Sequence, residues 1–350
     1  MKTGLDHIIV GQGIAGSALA LELHQRGKRI LMIDQHSANR ASKISAGIFN
    51  PITGKVMGLT YKAADLFPFL HGFYGNAERK FRSKFFHPMP LYRPFVSTEE
   101  FRQWKAKQDH PFIKEVSQNP WHPDLIRNGF GGLLLEGSGY LDVEKWMSAV
   151  RDMLIAEESY LDEKFIEGDL EVGESIVYRG RRAANIIFAD GIHAKSGRWF
   201  NWLPLKALKG EVLTIGMQNT FDRLISRGVY MVPGREQHTF TVGSTYEHEP
   251  FEEDISERAR VDLETRLQTI LSASYTVLHQ DWGIRPTVTD RRPLLGAHPD
   301  NRNVIIFNGM GTKGVSLAPY FAKCLADWMD DQGDLPAEVN IYRFKSLYSR

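Results

Sequence analysis

The feature that most constrains the fold is a glycine-rich stretch near the start of the chain, flanked by two apolar segments. Residues 7–16 read HIIVGQGIAG, with the glycines in a Gly-x-Gly-x-x-Gly pattern, and residues 29–34 read RILMID. Strand, turn, helix and strand is the order of a βαβ unit whose turn binds a pyrophosphate. The sequence therefore predicts a dinucleotide-binding unit at this position.

Each glycine of the pattern has its own physical role. Gly11 permits the tight turn, Gly13 lets the backbone approach the pyrophosphate, and Gly16 lets the helix pack against the strand. Ile14 and Ala15 begin the helix, where unpaired N–H groups attract phosphate. An isolated pattern of this kind is also compatible with a surface turn, so the flanking strands and helix carry the prediction.

A carboxylate ends the second apolar segment. Asp34 lies 23 positions after Gly11, close to the offset of about 20 at which an acidic residue binds the ribose hydroxyls. A 2′-phosphate would be repelled by its charge. We expect Asp34 and the adjacent Gln35 to contact the ADP part of a cofactor.

Composition limits the classes of function. The formal net charge is +1, with both signs dispersed along the chain, which argues against nucleic acid as the main partner. A segment that spans a bilayer needs about 18 consecutive apolar residues, and no run in this sequence is that long. The first predicted strand begins too early to leave room for a signal peptide. We therefore expect a cytoplasmic protein. The single cysteine, Cys324, and the scattered histidines predict neither a disulfide nor a metal site.

Patterns farther along the chain predict a mixed architecture. We expect a buried strand at residues 184–191, an antiparallel hairpin within residues 228–244, and helices at residues 256–271 and 315–329. Residues 61–80 predict a bent or broken helix, residues 85–95 an edge strand because of their prolines, and residues 108–128 a loop. The fold class is therefore α/β, with a Rossmann-like parallel sheet in one domain and a mixed or antiparallel sheet in a second.

Two further stretches are rich in small residues. Ser45, Ala46 and Gly47 either let the backbone approach a cofactor or form an ordinary loop. A second Gly-x-Gly-x-x-Gly follows an apolar strand, but no strand ending in an acid comes after its helix, so it predicts a turn that completes the first sheet. Its helix start would then face the same ligand. This second turn comprises Gly309, Met310, Gly311, Thr312, Lys313 and Gly314.

This arrangement favours FAD over NAD. NAD enzymes usually build their site from continuous N-terminal βαβ repeats, whereas one clear unit is followed here by long mixed segments. A flavin needs the same ADP site and, in addition, a positive pole where charge accumulates on reduction. The start of the second helix can supply that pole.

The chain resembles the D-amino acid oxidase, glycine oxidase and sarcosine oxidase superfamily of FAD-dependent oxidoreductases. The order and spacing of its motifs match over nearly the whole chain, and the first and last are the most specific. The C-terminal half is also similar to the oxidoreductase domain of the bifunctional bacterial enzyme that removes a carboxymethyl group from modified tRNA wobble uridine. The motifs are the opening glycine pattern, residues 45–47, Gly210-Glu211, VYMVP at 229–233, WGIRP at 282–286, RPLLG at 292–296 and residues 309–319.

The resemblance implies a discontinuous FAD-binding domain and a substrate-binding domain with a large antiparallel sheet. We expect residues 1–80, 136–204 and 283–350 in the first domain and residues 81–135 and 205–282 in the second. The chain lacks the cysteine motif through which sarcosine oxidases attach FAD. We therefore expect FAD to be bound non-covalently.

Two residues with catalytic roles carry over from the resemblance. Arg285 matches the arginine that binds the substrate carboxylate in glycine oxidase, and a guanidinium suits that role because it donates two parallel hydrogen bonds. Without the resemblance, a salt bridge would explain Arg285. Tyr230 matches a substrate-side tyrosine, although tyrosines on strands more often pack. Where glycine oxidase has a second arginine in its C-terminal loop, this chain has Thr312 and Lys313.

The resemblance implies an enzyme that oxidises the C–N bond of a small amino acid or secondary amine. Hydride passes from the α-carbon to the flavin, water hydrolyses the imine, and oxygen or an electron carrier accepts the electrons. The reaction requires orientation and a dry pocket more than an acid or a base. Two alternatives stay open: an enzyme acting on a carboxymethylamino group of modified tRNA, and a flavoprotein without amine turnover.

Overall fold

A computed structural model describes residues 4–35, 41–53 and 58–348. The chain divides into two compact units, each built from separate segments. The first unit comprises Met1–Lys43, Val143–Leu208 and Ile284–Arg350, and the second comprises Ile44–Asp142 and Lys209–Gly283. Residues 44–80, which we expected in the FAD-binding domain, group with the second unit. The functional assignment of the two units stays a prediction.

Helices and strands are numbered in chain order. The helices are α1 (Ile14–Gln25), α2 (Ala41–Ile44), α3 (Ala63–Phe81), α4 (Thr98–Lys105), α5 (Val143–Ala156), α6 (Glu257–Gln268) and α7 (Gly314–Met329), with 3-10 turns at Glu167–Asp169, Gly191–Lys195 and Ile341–Leu347. The strands are β1 (Leu5–Val10), β2 (Ile30–Asp34), β3 (Ile48–Phe49), β4 (Ile52–Thr53), β5 (Gly58–Leu59), β6 (Phe86–Pro88), β7 (Leu91–Pro94), β8 (Ile113–Ser117), β9 (Gly132–Leu135), β10 (Gly139–Leu141), β11 (Tyr160–Asp162), β12 (Leu170–Val172), β13 (Ile176–Tyr178), β14 (Arg181–Phe188), β15 (Leu205–Gly216), β16 (Leu224–Arg227), β17 (Val229–Pro233), β18 (Thr239–Gly243), β19 (Glu247–His248), β20 (Thr276–Val288), β21 (Leu294–His298) and β22 (Asn301–Asn308).

The first unit contains a parallel sheet in the order β11-β2-β1-β14-β22. Val10 of β1 pairs with Ile33 of β2 and with Phe188 of β14, and Phe188 pairs with Ile306 of β22. Since all these strands run the same way, their carboxyl ends share one edge, which is where such sheets bind ligands. The prediction that the second glycine turn completes the first sheet is confirmed, because β22 lies in this sheet.

The central strands of this sheet are apolar because both faces are covered. Ile8, Ile9, Ile186 and Ile187 are all fully buried, as expected for parallel strands with packing on both faces. Helices α1 and α7 both begin at the carboxyl edge and pack against each other. The fold therefore directs two helix starts to the same edge of one sheet.

The second unit contains a nine-stranded sheet in which β17 and β18 form the antiparallel hairpin that the sequence predicts. Alternating side chains give the sheet two distinct apolar faces. Val229 and Met231 belong to one core cluster together with α6, whereas Val232 belongs to another and Tyr230 packs against that second one. Tyr230 therefore lies on the face opposite α6.

Three local predictions need correction in part. Residues 85–95 form β6 at the edge of a three-stranded sheet and β7 in the interior of the nine-stranded sheet, since the prolines separate the two strands and Pro94 ends the second. Residues 108–128 contain β8, which pairs with β9. Residues 63–80 lie in helix α3, which continues through Pro68 without a break, and Leu66 and Leu70 are fully buried.

Among the described residues, the longest helices are too short or too polar to cross a bilayer.

Candidate cofactor and substrate site

The first glycine turn joins β1 to α1 and has the shape that the sequence predicts. Gly11 has a φ of 98°, a conformation that favours glycine. A Cβ atom at Gly16 would overlap the carbonyl oxygen of Gly11, so the helix packs directly on the turn. At Gly13 a Cβ atom would meet only the Ser42 hydroxyl, at 3.3 Å. The protein therefore leaves space at Gly13, the position where backbone approach to a ligand is predicted.

Asp34 lies at the end of β2 and is 8% exposed. Its Oδ1 accepts a hydrogen bond from the Gln12 backbone N–H at 2.9 Å, and Tyr160 donates to Oδ2 at 3.4 Å. The Gln12 side chain donates to the Met147 carbonyl at 2.8 Å, which fixes the turn from the other side. These hydrogen bonds hold the Asp34 carboxylate beside the first glycine turn. The next residue, Gln35, is exposed.

A hydroxyl that the sequence reasoning missed lies at the start of α1. Ser42 Oγ accepts a hydrogen bond from the Ile14 backbone N–H at 3.0 Å, while Gly13 supplies no side-chain cap. Ala15 follows in the first helical turn and is 8% exposed. Ser42 lies in a polar stretch without any motif, so only the structure reveals its contact. The described part of the turn therefore contains a neutral hydroxyl and backbone donors, which suit an anion.

The second glycine turn lies beside the first. A Cβ atom at Gly314 would lie 2.6 Å from Ile14 Cγ2, so the starts of α7 and α1 touch. Lys313 immediately precedes α7, and its pKa is lowered by burial and by the positive charges of Arg291 and Arg292. Three basic side chains therefore raise the positive potential at a helix start that is itself positive.

The second turn is also tied to Arg285. The carbonyl of Pro286 accepts a hydrogen bond from the Gly311 backbone N–H at 3.0 Å. Arg285 is partly buried near the end of β20, directly before that proline. Within the turn, Met310 is 5% exposed and packs inward, whereas Thr312 is exposed. The structure thus brings Arg285 next to the turn at residues 309–314, inside one unit.

A polar pair, the buried Asn308 and the partly buried Asp190, links the two turns. The Asn308 side-chain amide donates to the Gly191 carbonyl at 2.8 Å and to Asp190 Oδ1 at 3.3 Å. Asp190 follows β14 and lies against the first turn, since a Cβ atom at Gly11 would be 2.8 Å from its Cα. Burial raises the pKa of the Asp190 carboxyl from 3.8 to about 7. Sequence reasoning missed both residues because neither belongs to a glycine pattern.

This raised pKa predicts a pH-dependent stability that Asp190→Asn removes. The folded protein binds the proton more tightly than the unfolded chain, so Asp190 lowers the free energy of unfolding as pH rises from about 4 to about 7. The full shift corresponds to about 4 kcal/mol, and we expect about 1–3 kcal/mol because the residue is partly exposed. Asp190→Asn should be more stable than the wild type by that amount near pH 8 and equal to it near pH 4, as measured by urea unfolding.

The exposed variant Glu171→Gln serves as the control and should follow the wild type at each pH. Parallel stability profiles for Asp190→Asn and the wild type would contradict the assignment.

Tyr230 and the loop at residues 45–47 lie in the second unit. Tyr230 on β17 and Ala46 both pack against the apolar cluster on the sheet face opposite α6. Ser45 Oγ accepts a hydrogen bond from the Gly47 N–H at 3.1 Å, and Gly47 packs against the backbone of Leu141. The structure therefore brings Ala46 and Tyr230 to one face of the sheet. Their roles toward cofactor and substrate stay predictions.

One motif of the resemblance has a structural explanation. Glu211 is 1% exposed and forms a buried ion pair with Lys209 at 3.2 Å. Its carboxylate also accepts hydrogen bonds from the Ser256 hydroxyl at 2.9 Å and from Gln280 Nε2 at 2.7 Å. The pair holds β15, β20 and the start of α6 together. Across the described ranges, no group of three or more His, Cys, Asp or Glu side chains could hold a metal ion.

Comparisons with known proteins agree with this geometry. The profile of the family described as FAD dependent oxidoreductase (DAO) matches residues 6–328. Glycine oxidase from Pseudomonas aeruginosa PAO1 is 25% identical over 351 residues, which cover 92% of this chain and 94% of that protein. The crystal structure of glycine oxidase from Geobacillus kaustophilus matches with a TM-score of 0.80 and 18% identity, covering 97% of both chains. The chain belongs to the DAO family and is an FAD-dependent oxidoreductase.

The resemblance found in the sequence is thereby confirmed, and so are the fold class and the choice of FAD. The bifunctional protein ThiO/ThiG of Trichormus variabilis is 23% identical over 368 residues, which cover 95% of this chain but 53% of that protein. The chain therefore spans about half the length of the first curated relatives it matches. Bifunctional tRNA 5-methylaminomethyl-2-thiouridine biosynthesis proteins are also similar to it.

Proposed function

We propose that this oxidoreductase acts on the C–N bond of a small amino acid or N-substituted glycine, whose carboxylate Arg285 binds. The observation that carries the proposal is the hydrogen bond from Gly311 N–H to the carbonyl of Pro286, the residue next to Arg285. It ties the candidate carboxylate-binding residue to the turn expected to face the flavin. Glycine oxidases among the relatives and structural neighbours support the same substrate class.

The residues of the first unit fit FAD. Space at Gly13 and the donors at the start of α1 suit a pyrophosphate, and Asp34 suits the ribose hydroxyls. We propose that the first turn and Ser42 hold the ADP part, whereas the second turn with Lys313 lies toward the flavin. When bound, FAD supplies the two-electron acceptor for the hydride that leaves the substrate carbon.

The protein's own contribution is then binding and orientation. The guanidinium of Arg285 can hold both oxygens of a carboxylate, which fixes the α-carbon. Lys313, Arg291 and Arg292 together create a positive potential that stabilises negative charge developing beside the second turn. The first unit offers these positive groups and backbone donors at one edge of its sheet, and the proposal requires no general base from them.

Anaerobic mixing with a panel of glycine, sarcosine and D-amino acids tests the proposal. At least one amine of the panel should bleach the flavin absorbance, because the reaction converts the oxidised flavin directly to reduced flavin. Within the panel, glycine and its N-methylated form sarcosine are a matched pair. Comparing their rates of flavin reduction shows whether the enzyme prefers a primary or a secondary amine. If the whole panel leaves the spectrum unchanged, the proposed substrate class is wrong.

A second candidate is oxidation of a carboxymethylamino group on modified tRNA. Similarity to the bifunctional tRNA enzymes, which extends over 97% of this chain, favours it. The formal net charge of +1 gives little electrostatic attraction to phosphates. A tRNA gel shift that weakens steeply with salt would support this candidate, whereas unshifted tRNA at low salt would remove it.

A further inference from the structure

A cavity lies in the second unit, on the face of the nine-stranded sheet opposite Tyr230. Its volume is about 180 Å³, and Tyr92, Leu134, Glu115, Trp121 and Arg223 are among the residues that line it. Tyr92 and Leu134 belong to the apolar cluster that includes α6, whereas Tyr230 packs on the other cluster. The proposed oxidation therefore makes no use of this cavity.

The cavity contains a buried donor without an acceptor. Tyr92 is 3% exposed, and its hydroxyl oxygen accepts a hydrogen bond from Asn128 Nδ2 at 3.0 Å. The orientation of the Asn128 amide is fixed, because the same Nδ2 donates to the Trp121 carbonyl at 2.7 Å, which can only accept. The proton of the Tyr92 hydroxyl must therefore be donated elsewhere, and no acceptor for it is found among the described residues.

Two opposite charges, those of Arg223 and Glu115, line the same cavity. The charges of Arg223 and Glu115 both act on the ionisation of Tyr92. The guanidinium of Arg223 stacks on the ring of Trp121 at 4.8 Å. Among the described residues, its carboxylate contact is to Asp222 at 3.8 Å, and that side chain is 74% exposed. Such an exposed, distant pair contributes little. Glu115 lies at the exposed side of the cavity, and no donor to its carboxylate is found within residues 4–35, 41–53 and 58–348.

The apolar part of the cavity is closely packed. The ring of Tyr92 lies directly on Gly132, where a Cβ atom would overlap it, and its centroid is 5.0 Å from that of Trp121. Leu134 is 5% exposed beside them. The cavity is smaller than pockets for drug-sized ligands, which have volumes of about 300–1,000 Å³. The cavity therefore suits a molecule of the size of a single amino acid.

We propose that this cavity binds a free α-amino acid as a second, non-catalytic ligand. The ligand carboxylate accepts hydrogen bonds from Arg223 and from the hydroxyl of Tyr92, and its ammonium group binds Glu115. Its apolar side chain packs against Trp121 and Leu134. This pairing gives the proton of the buried Tyr92 hydroxyl an acceptor and places each ligand charge against an opposite charge of the protein, which a ligand with a single charge cannot do.

The test uses the FAD-loaded protein labelled with 5-fluorotryptophan. The Trp121 resonance is identified among the seven tryptophans by its loss in Trp121→Phe. L-Leucine should shift this resonance saturably, whereas 4-methylpentanoate and 3-methylbutylamine, which each lack one charge, should bind at least about tenfold more weakly. Arg223→Gln and Glu115→Gln should weaken leucine binding by a similar factor. Lys114→Gln, which removes a paired surface charge on the same strand, should not.

Two results would overturn the proposal: no saturable shift up to about 10 mM leucine, or equal binding of leucine and its single-charge analogues. Leucine binding should persist in Arg285→Ala, so failure of the proposed catalytic role and failure of this site are distinguished.

Discussion

Gly13→Val is expected to give a folded protein that purifies without its yellow cofactor. The backbone at Gly13 has φ −81° and ψ −169°, a region open to valine, and a Cβ atom there meets only the hydroxyl of Ser42. The cost to the fold is that of a poor N-cap residue, about 1 kcal/mol. The branched side chain instead occupies the space predicted for the pyrophosphate. FAD affinity should fall at least about a hundredfold, as measured by flavin absorbance and titration of the apoprotein.

Gly72→Val is the matched control for Gly13→Val. A Cβ atom at Gly72 meets nothing within 4 Å, so this variant adds the same side chain away from the turn and should retain full colour. Gly16→Val is expected to behave differently again, because its side chain would overlap the backbone of Gly11 and disrupt the fold itself. A folded Gly13→Val protein with a full complement of FAD would show that the ligand does not approach this glycine.

Arg285→Ala is expected to abolish most of the activity while leaving FAD bound. Two charge-assisted hydrogen bonds to a carboxylate contribute about 1.5–3 kcal/mol each, so kcat/KM should fall at least about a hundredfold on whichever substrate the panel identifies. Arg285→Lys keeps the charge but loses the paired donors and should recover only part of the loss. Stopped-flow reduction of the flavin measures both variants directly.

The control for Arg285→Ala is Arg302→Ala, which removes an exposed arginine from β22 in the same unit. It should leave kcat/KM and the flavin spectrum unchanged. Loss of FAD from Arg285→Ala would instead assign this residue to cofactor binding, and unchanged kinetics would refute its role in binding the carboxylate.

The sequence was most informative where local chemistry determines local structure. The turn at Gly11 and the helix after it follow from positive φ, close packing and apolar periodicity within a short segment. The position of the second turn in the first sheet was also predictable, because no strand ending in an acid follows its helix. Strand β22 next to β14 confirms that reasoning.

Contacts between distant segments were beyond such reasoning. Nothing in its sequence neighbourhood links Ser42 to Ile14, or Asn308 to Asp190, although both pairs join at the edge of one sheet. The prolines of residues 85–95 favoured an edge strand, but the strand containing Tyr92 is interior because its neighbours come from elsewhere in the chain. Tertiary pairing overrides local preference at such positions.

The contact between Gly314 and Ile14 joins positions 300 residues apart in the sequence. During synthesis, the first glycine turn leaves the ribosome long before β22 and α7 are made. This turn therefore cannot contact the start of α7 until almost the whole chain has been translated. Contacts of such long sequence separation form late and slowly. If the second turn contacts the flavin as proposed, full retention of FAD would report that the last helix has docked, and the yellow colour of the protein would report completed folding.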